Sequence, residues 1–249
     1  MAWLSNIFSK NTNAAVSDYS AVAVDIHSHL IPGIDDGSSS LEDSLQYIKE
    51  LKKLGFKKLV ITPHISENYF KNSQEDILSG FEKLKTHIAE NNIEIDLEIA
   101  AEYQIDEAFE DKMNAGKLLT FGDKYLLVEL SYFSPYINLN SVLYELNISG
   151  YNIILAHPER YEYMQKDISR YDDLKSRDVM FQLNTISLAK FFGPQTKKIA
   201  EMLIDNKMID FIGSDLHNML YINSLQKSLS EKHLEKLIAS GNLKNHKLL

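Results

Sequence analysis

The feature that most constrains this chain is a repeated unit: a short apolar run followed by a stretch of helical periodicity, seven times in strict alternation. Parallel strands need such crossovers, so the pattern predicts a parallel sheet. Connections this uniform favour a closed or nearly closed barrel over an open doubly wound sheet. No G-x-G-x-x-G follows the first run, which counts against a dinucleotide-binding fold.

The ends of the runs are as regular as their spacing. Ala21-Val22-Ala23-Val24 stops at Asp25-Ile26-His27-Ser28-His29, the run over 58–62 enters Pro63-His64, and the alternating run over 93–101 ends at Glu102. The run over 125–128 ends at Glu129, that over 152–156 at His157, and the last, over 209–214, at Asp215 with His217 just beyond. Only the sixth, over 179–183, delivers no His, Asp or Glu. Barrel enzymes of this kind keep their chemistry at the C-terminal ends of their strands.

Between the runs, Leu41, Leu45, Ile48, Leu51 and Leu54 recur at helical spacing before Gly55, and Ile77, Phe81, Leu84 and Ile88 share one face of a helix over 73–91. A last helix is expected over 222–239, and the polar tail 241–249 is expected to be loosely held. No linker or low-complexity tract interrupts the pattern, so residues 21–249 read as a single domain after an N-terminal arm over 1–20. In that arm Trp3, Leu4, Ile7 and Phe8 are read as one apolar face, a frayed arm or a flap against the core.

Composition removes several function classes. No cysteine is present, which excludes disulfides, thiolate zinc sites and a thiolate nucleophile. A net charge of -9 argues against a broad nucleic-acid surface. There is no run of eighteen apolar residues to span a membrane, and the start lacks the features of a signal peptide, so the expected location is the cytoplasm.

Nine side chains converge on the strand ends: His27, His29, Asp36, His64, Glu102, Glu129, His157, Asp215 and His217. In extended backbone His27 and His29 point to the same side and can reach one ion, and Asp36 returns on the following loop. One such residue alone is ordinarily a hydrogen-bonded core histidine or a helix-capping acid. Chance does not gather five of the eight histidines at strand ends or on the loop just beyond. The other three, His87, His233 and His246, lie in or after helices and read as surface residues. All nine candidates offer nitrogen or oxygen, suited to Mn, Fe or Zn, and nine donors are too many for one ion, so two or three divalent metals are expected.

The H-x-H of Asp25-Ile26-His27-Ser28-His29, Thr62-Pro63-His64, Ala101-Glu102-Tyr103, Val128-Glu129-Leu130, Ala156-His157-Pro158-Glu159-Arg160-Tyr161 and Gly213-Ser214-Asp215-Leu216-His217-Asn218 resemble the PHP (polymerase and histidinol phosphatase) superfamily. Within it the chain is most similar to the bacterial protein-tyrosine phosphatases of capsular and exopolysaccharide operons, in order and spacing over about residues 21–240. The resemblance implies an α/β fold, a distorted (β/α)7 TIM-like barrel holding three metals, of which Mn is favoured. It implies one ion on His27, His29, Glu102 and Asp215, a second on Asp36, His64 and His217, and a third on Glu102, Glu129 and His157. The implied substrate is the phosphotyrosine-bearing tail of a membrane-associated bacterial tyrosine autokinase that regulates polysaccharide export. Asp25 would orient a ligand histidine or stand as an ordinary strand-end acid.

Phosphomonoester hydrolysis fits these residues. Three divalent ions carry +6, and the carboxylates of Asp36, Glu102, Glu129 and Asp215 leave a site of about +2, matched to a dianionic phosphate. A hydroxide bridging the metals would attack phosphorus, with Glu102, His157 and Arg160 as the expected catalytic residues and Arg160 clamping a phosphate oxygen. One departure is evident: where relatives often carry a second arginine, this chain reads Met219-Leu220-Tyr221-Ile222, leaving Lys190 or Lys197 as candidate substitutes. Tyr69, Phe70, Tyr103, Tyr132, Phe133, Tyr136, Tyr161, Tyr163 and Tyr221 follow the proposed ligands closely and would rim the site, which suits an aryl phosphate. The alternatives are a phosphatase for histidinol phosphate or another small phosphomonoester, and a phosphotyrosine-binding module without turnover.

Overall fold

The computed structural model describes residues 16–116 and 118–249. Trp3, Leu4, Ile7 and Phe8, and with them most of the expected arm, lie outside the described residues. Tyr19, near the arm's end, is buried, stacked on Phe56 at 5.0 Å, and donates its hydroxyl hydrogen to the Leu225 carbonyl at 2.8 Å.

Among the described residues nine short strands occupy seven positions. They are β1 (Val24–Asp25), β2 (Lys58–Ile61), β3 (His64–Ile65), β4 (Asp96–Ile99), β5 (Glu102–Gln104), β6 (Tyr125–Glu129), β7 (Asn152–Ala156), β8 (Met180–Asn184) and β9 (Phe211–Gly213). All pair in parallel, in the orders β1-β2-β4 and β3-β5-β6-β7-β8-β9. β2 and β3 are one stave interrupted at Thr62-Pro63, where proline has no N–H for the ladder, and β4 and β5 are one stave interrupted at Ala100-Ala101. The bonds Ala100 N–H to Ile61 O (2.9 Å) and Glu102 N–H to Pro63 O (3.0 Å) carry the pairing across both breaks. The third stave starts at Asp96 rather than at residue 93, because Lys58 pairs with Asp96 and β2 offers nothing earlier.

The first and last staves meet mainly through side chains. Asn245, fully buried in the tail, donates to Val24 O at 2.9 Å and Ile212 O at 2.8 Å and accepts from the Ile212 N–H at 3.1 Å. Above it the Asp25 carboxylate accepts from the backbone N–H and the hydroxyl of Ser214. Higher still, the Asp215 N–H donates to His27 O (2.8 Å) and the His29 N–H to Leu216 O (3.0 Å). The tail is therefore not loosely held as its polarity suggested, because Asn245 supplies the hydrogen bonds that a ladder would have made.

Helices α1 (Leu41–Lys53), α2 (Gln74–Glu90), α3 (Glu107–Asn114), α4 (Leu139–Ile148), α5 (Glu162–Lys166), α6 (Ser169–Ser176), α7 (Pro194–Asp205), α8 (Met219–Ser228) and α9 (Lys232–Ala239) fill the connections. α2 starts on a capping box, Ser73 with Asp76, and buries Ile77, Phe81, Leu84 and Ile88 as the spacing predicts. The helix expected over 222–239 is two, because the chain turns at 229–231, after Ser228 has spent its hydroxyl on the Ser224 and Thr185 carbonyls. Alternate strand residues divide between an inner cluster (Val60, Leu127, Ile154, Phe211) and a larger one shared with the helices (Leu59, Leu126, Ile153, with Ile48, Leu84, Leu146). No helix among the described residues is long and apolar enough to cross a membrane.

Candidate functional site

All nine candidate residues gather at the C-terminal ends of the staves, because parallel strands present those ends together. His27 and His29 follow β1, His64 opens β3, Glu102 opens β5, Glu129 closes β6, His157 follows β7, and Asp215 and His217 follow β9. His27, His29, Glu102, His157 and Asp215 are buried, and Asp36 is the exposed member, with its side chain 58% accessible.

The densest group is His27, His29, Glu102 and Asp215, whose donor atoms all lie within 4.8 Å of one another. His27 Nε2 stands 3.1 Å from His29 Nε2, 3.0 Å from Glu102 Oε2 and 3.3 Å from Asp215 Oδ1. A second group is His29, His64 and His217, with Asp36 Oδ1 at 3.3 Å from His217 Nε2 and 3.6 Å from His64 Nε2. A third is His64, Glu102 and Glu129. His157 Nε2 approaches Glu102 Oε1 at 3.0 Å and Glu129 Oε2 at 4.0 Å, and His64 Nδ1 approaches the same two residues at 3.1 and 3.4 Å. Glu102 is thus common to the first and third groups, and His64 stands between the second and third.

The outer nitrogens of three histidines are already committed. His27 Nδ1 bonds Gln182 Oε1 (2.8 Å), His29 Nδ1 bonds Asp35 Oδ2 (2.9 Å) and His217 Nδ1 bonds the Asp215 carbonyl (2.7 Å). Each partner only accepts, so each ring donates from Nδ1 and, when neutral, turns the Nε2 lone pair inward. Buried lone pairs from two imidazoles and two carboxylates, facing each other at hydrogen-bond distance, fit a cation.

The electrostatics of the side chains alone carry the same message. Burial works against charge on His27 and His29, yet neighbouring carboxylates raise both: Glu102 and Asp215 for His27, Asp35 first for His29. Burial likewise pushes Glu102 and Asp215 up, and the histidines overcome it and hold both carboxyls well below their usual range. Glu129 goes the other way, raised by burial and by repulsion from Glu102. Burial and then the Arg160 charge push His157 down to about 4. Acids and bases this crowded need positive charge that protons supply only unevenly.

Three residues that sequence reasoning missed complete the arrangement. The sixth stave, which delivers no charged residue, delivers the buried amides Gln182 and Asn184 on the same face of β8; Gln182 orients His27, and Asn184 Nδ2 donates to Asp215 Oδ2 at 2.7 Å. Their signal is polarity at a period of two inside an apolar run. Asp35 is the third; it accepts from His29 and from the His64 backbone N–H (3.2 Å). Asp25 touches no histidine ring and serves the barrel seam instead. His157 (φ 36°) and Asp215 (φ 51°) both sit in the left-handed region, a conformation kept where the surroundings impose it. Gly213 is required by close approach, since a Cβ there would lie 2.7 Å from Gln182 Nε2 and 2.8 Å from His27 Cβ.

Above the groups lies a cleft of about 250 Å³, lined by Asp36, His64, Glu129, His157, Asp215 and His217 at its base and by Tyr69, Phe70, Tyr132, Phe133 and Tyr221 on its walls. Arg160 enters it with Nη1 on Asp215 Oδ2 at 3.0 Å and its guanidinium between the rings of Phe192 (4.0 Å) and Tyr132 (4.8 Å). It does not pair with Glu159, which is buried and accepts from Ser187 and the Asn184 N–H. Of the other expected rim residues, Tyr103 and Tyr161 are core, Tyr136 donates to Glu110, and Tyr163 faces a neighbouring groove. Lys197 is paired with Glu231 (2.6 Å), and neither it nor Lys190 lines the cleft.

Comparison with known proteins agrees with this architecture. The chain is 27% identical over 197 residues to the tyrosine-protein phosphatase YwqE of Bacillus subtilis, covering 79% of this chain and 78% of the relative. It is 28% identical over 204 residues to the tyrosine-protein phosphatase CpsB of Streptococcus pneumoniae, covering 79% and 83%. A crystal structure from work on those two proteins, described as unique metal-dependent tyrosine phosphatases, superposes with a TM-score of 0.79 at 26% identity over 90% of each chain. Histidinol phosphate phosphatase of Lactococcus lactis shares the fold, with a TM-score of 0.52 at 15% identity over 84% of this chain and 92% of that one. A family model described as capsular polysaccharide synthesis, CpsB/CapC, matches residues 23–239, and the chain belongs to that family.

Proposed function

We propose that this protein is a metal-dependent tyrosine phosphatase that removes phosphate from the tyrosine-rich tail of a membrane-associated bacterial tyrosine kinase controlling polysaccharide export. The observation that carries the reading is the convergence of His27, His29, Glu102 and Asp215, with their lone pairs turned inward, beneath a cleft that Arg160 enters. The similarity to proteins named tyrosine-protein phosphatases supports the substrate class.

The four residues of the densest group would hold one ion, and His64, His157, His217, Asp36 and Glu129 would complete sites for one or two more. Mn is the favoured metal, and Fe or Zn suit the same nitrogen and oxygen donors. Bound divalent ions supply Lewis-acid polarisation of the phosphoryl group and activation of water. The chain's own residues orient the substrate. Arg160, made rigid between two rings and tethered to Asp215, presents its remaining N–H groups to a phosphoryl oxygen. The aromatic walls receive a phenyl ring and exclude water around it. Among the described residues, the cleft has no acidic lining residue beyond the candidate ligands to receive the amine of histidinol phosphate.

Phosphate release from a phosphotyrosine peptide and from histidinol phosphate, with Mn added or a chelator present, tests the reading. Chelator-sensitive release from the peptide is expected. Turnover of histidinol phosphate alone, or metal binding without turnover of either substrate, would overturn it.

A further inference from the structure

We infer that the hydroxyls of Tyr221 and Tyr132 donate hydrogen bonds to the phosphoryl oxygens of an aryl phosphate held against Arg160, an inference that rests on the phosphatase reading above. A phosphate monoester dianion presents three terminal oxygens, each accepting more than one hydrogen bond. Among the described residues Arg160 is the only lysine or arginine lining the cleft, and its Nη1 is already engaged by Asp215. The residues after Asp215-Leu216-His217-Asn218 are Met219-Leu220-Tyr221-Ile222, which add no cation, and Ile222 is buried. Beyond Arg160 and the metal ions that the site would hold, the hydrogen-bond donors left to the phosphoryl oxygens are neutral.

Several packed tyrosines around the barrel spend their hydroxyls on protein acceptors, although the buried hydroxyl of Tyr163 has no partner among the described residues. Tyr19 donates to Leu225 O, Tyr161 to Ala156 O, Tyr171 to Pro158 O and Tyr136 to Glu110 Oε1. Tyr132 and Tyr221 are half-buried in the cleft wall, yet their hydroxyls have no hydrogen-bond partner among the described residues. Their rings, in contrast, are held firmly. Tyr132 stacks on His157 (centroids 5.8 Å apart, planes at 18°) and carries the Arg160 guanidinium on its face. Tyr221 stacks on His217 (5.1 Å, 29°) and packs on Phe191 at 4.7 Å. Both tyrosines line the same cleft as Arg160. Two fixed rings with uncommitted hydroxyls beside the single guanidinium form a donor set preorganised for an anion. A phenol keeps its proton at neutral pH, so each hydroxyl is a donor.

Tyr221→Phe and Tyr132→Phe delete the hydroxyls and keep the rings on which Arg160 and the histidines pack. On the Mn-loaded full chain, kcat and KM for a phosphotyrosine peptide are measured together with the affinity for inorganic phosphate, metal content and Tm. Each variant is expected to lose about tenfold in kcat/KM and to bind inorganic phosphate several-fold more weakly, with metal content and Tm unchanged. Variants within about twofold of the parent in both quantities would overturn the inference, as would a parent that binds no inorganic phosphate. A parent that binds phosphate in a tyrosine-dependent way but leaves the peptide intact would uphold the inference and defeat the phosphatase reading.

Discussion

His27 donates from Nδ1 to Gln182 Oε1 at 2.8 Å, and that single bond leaves its Nε2 facing the Nε2 of His29, 3.1 Å away. A neutral amide on the one stave without a charged strand end thereby decides which nitrogen of a buried histidine is left for a cation. Gln182→Leu keeps the volume and removes the acceptor. The ring is then free to turn, and affinity for Mn is expected to fall about 10–100-fold, as is usual when a partner behind a metal-binding histidine is lost. Titration of Mn into the metal-free protein reads this directly, and an unchanged affinity would show that the bond does not orient the ring.

Arg160 is held on three sides, by Asp215 and by the faces of Tyr132 and Phe192. Its planar fork matters as much as its charge, so Lys does not replace it. Arg160→Lys and Arg160→Ala are both expected to lower kcat/KM for a phosphotyrosine peptide, the latter by about 10²–10³-fold. Metal content should stay near that of the parent, because Asp215 keeps the Asn184 hydrogen bond. Loss of metal in parallel with activity would assign Arg160 to holding Asp215 instead of to binding phosphate.

The contrast between Asp35 and Asp36 shows where a sequence stops being informative. The pair sits in one polar cluster, and chemistry alone favours neither. The structure turns Asp36 outward between His64 and His217 and buries the Asp35 side chain behind His29. The histidines and acids at the strand ends were legible, since a run of apolar residues that stops at His or Glu announces a buried polar position needing a partner. Gln182 and Asn184 were not, because neutral amides fit ordinary strands as well as functional ones. Staves and helices were legible as periodicity, whereas breaks at Thr62-Pro63 and at 229–231 depend on register and on tertiary hydrogen bonds.

Asn245 was invisible for a related reason: one polar residue in a polar tail has no periodicity. Its amide satisfies Val24 O, Ile212 O and the Ile212 N–H at the seam between the first and last staves. Asn245→Ala leaves those groups buried without partners and is expected to cost about 2–4 kcal/mol of stability. Urea unfolding should show a lower midpoint with an unchanged slope. A midpoint equal to the parent's would mean that water replaces the amide.

At the same end of the barrel, Asp210 accepts from Lys175 Nζ (2.6 Å), Lys244 Nζ (2.9 Å) and the Phe181 N–H (3.0 Å). Burial alone would raise its carboxyl, but the hydrogen bonds from Lys175, Lys244 and the Phe181 N–H outweigh burial and hold it below the usual range. A carboxyl that is more acidic folded than unfolded stabilises the fold above its unfolded pKa, and loses that contribution as pH falls through its depressed folded value. Asp210→Asn is therefore expected to be less stable than the parent at pH 7 by about 1–2 kcal/mol, the worth of charge-assisted hydrogen bonds in a partly exposed site. The gap between parent and variant should narrow as the solution is acidified below the range where free carboxylates titrate. Paired urea titrations across that range measure the gap, and one that persists unchanged in acid would mean that packing, not ionisation, is what the carboxylate contributes.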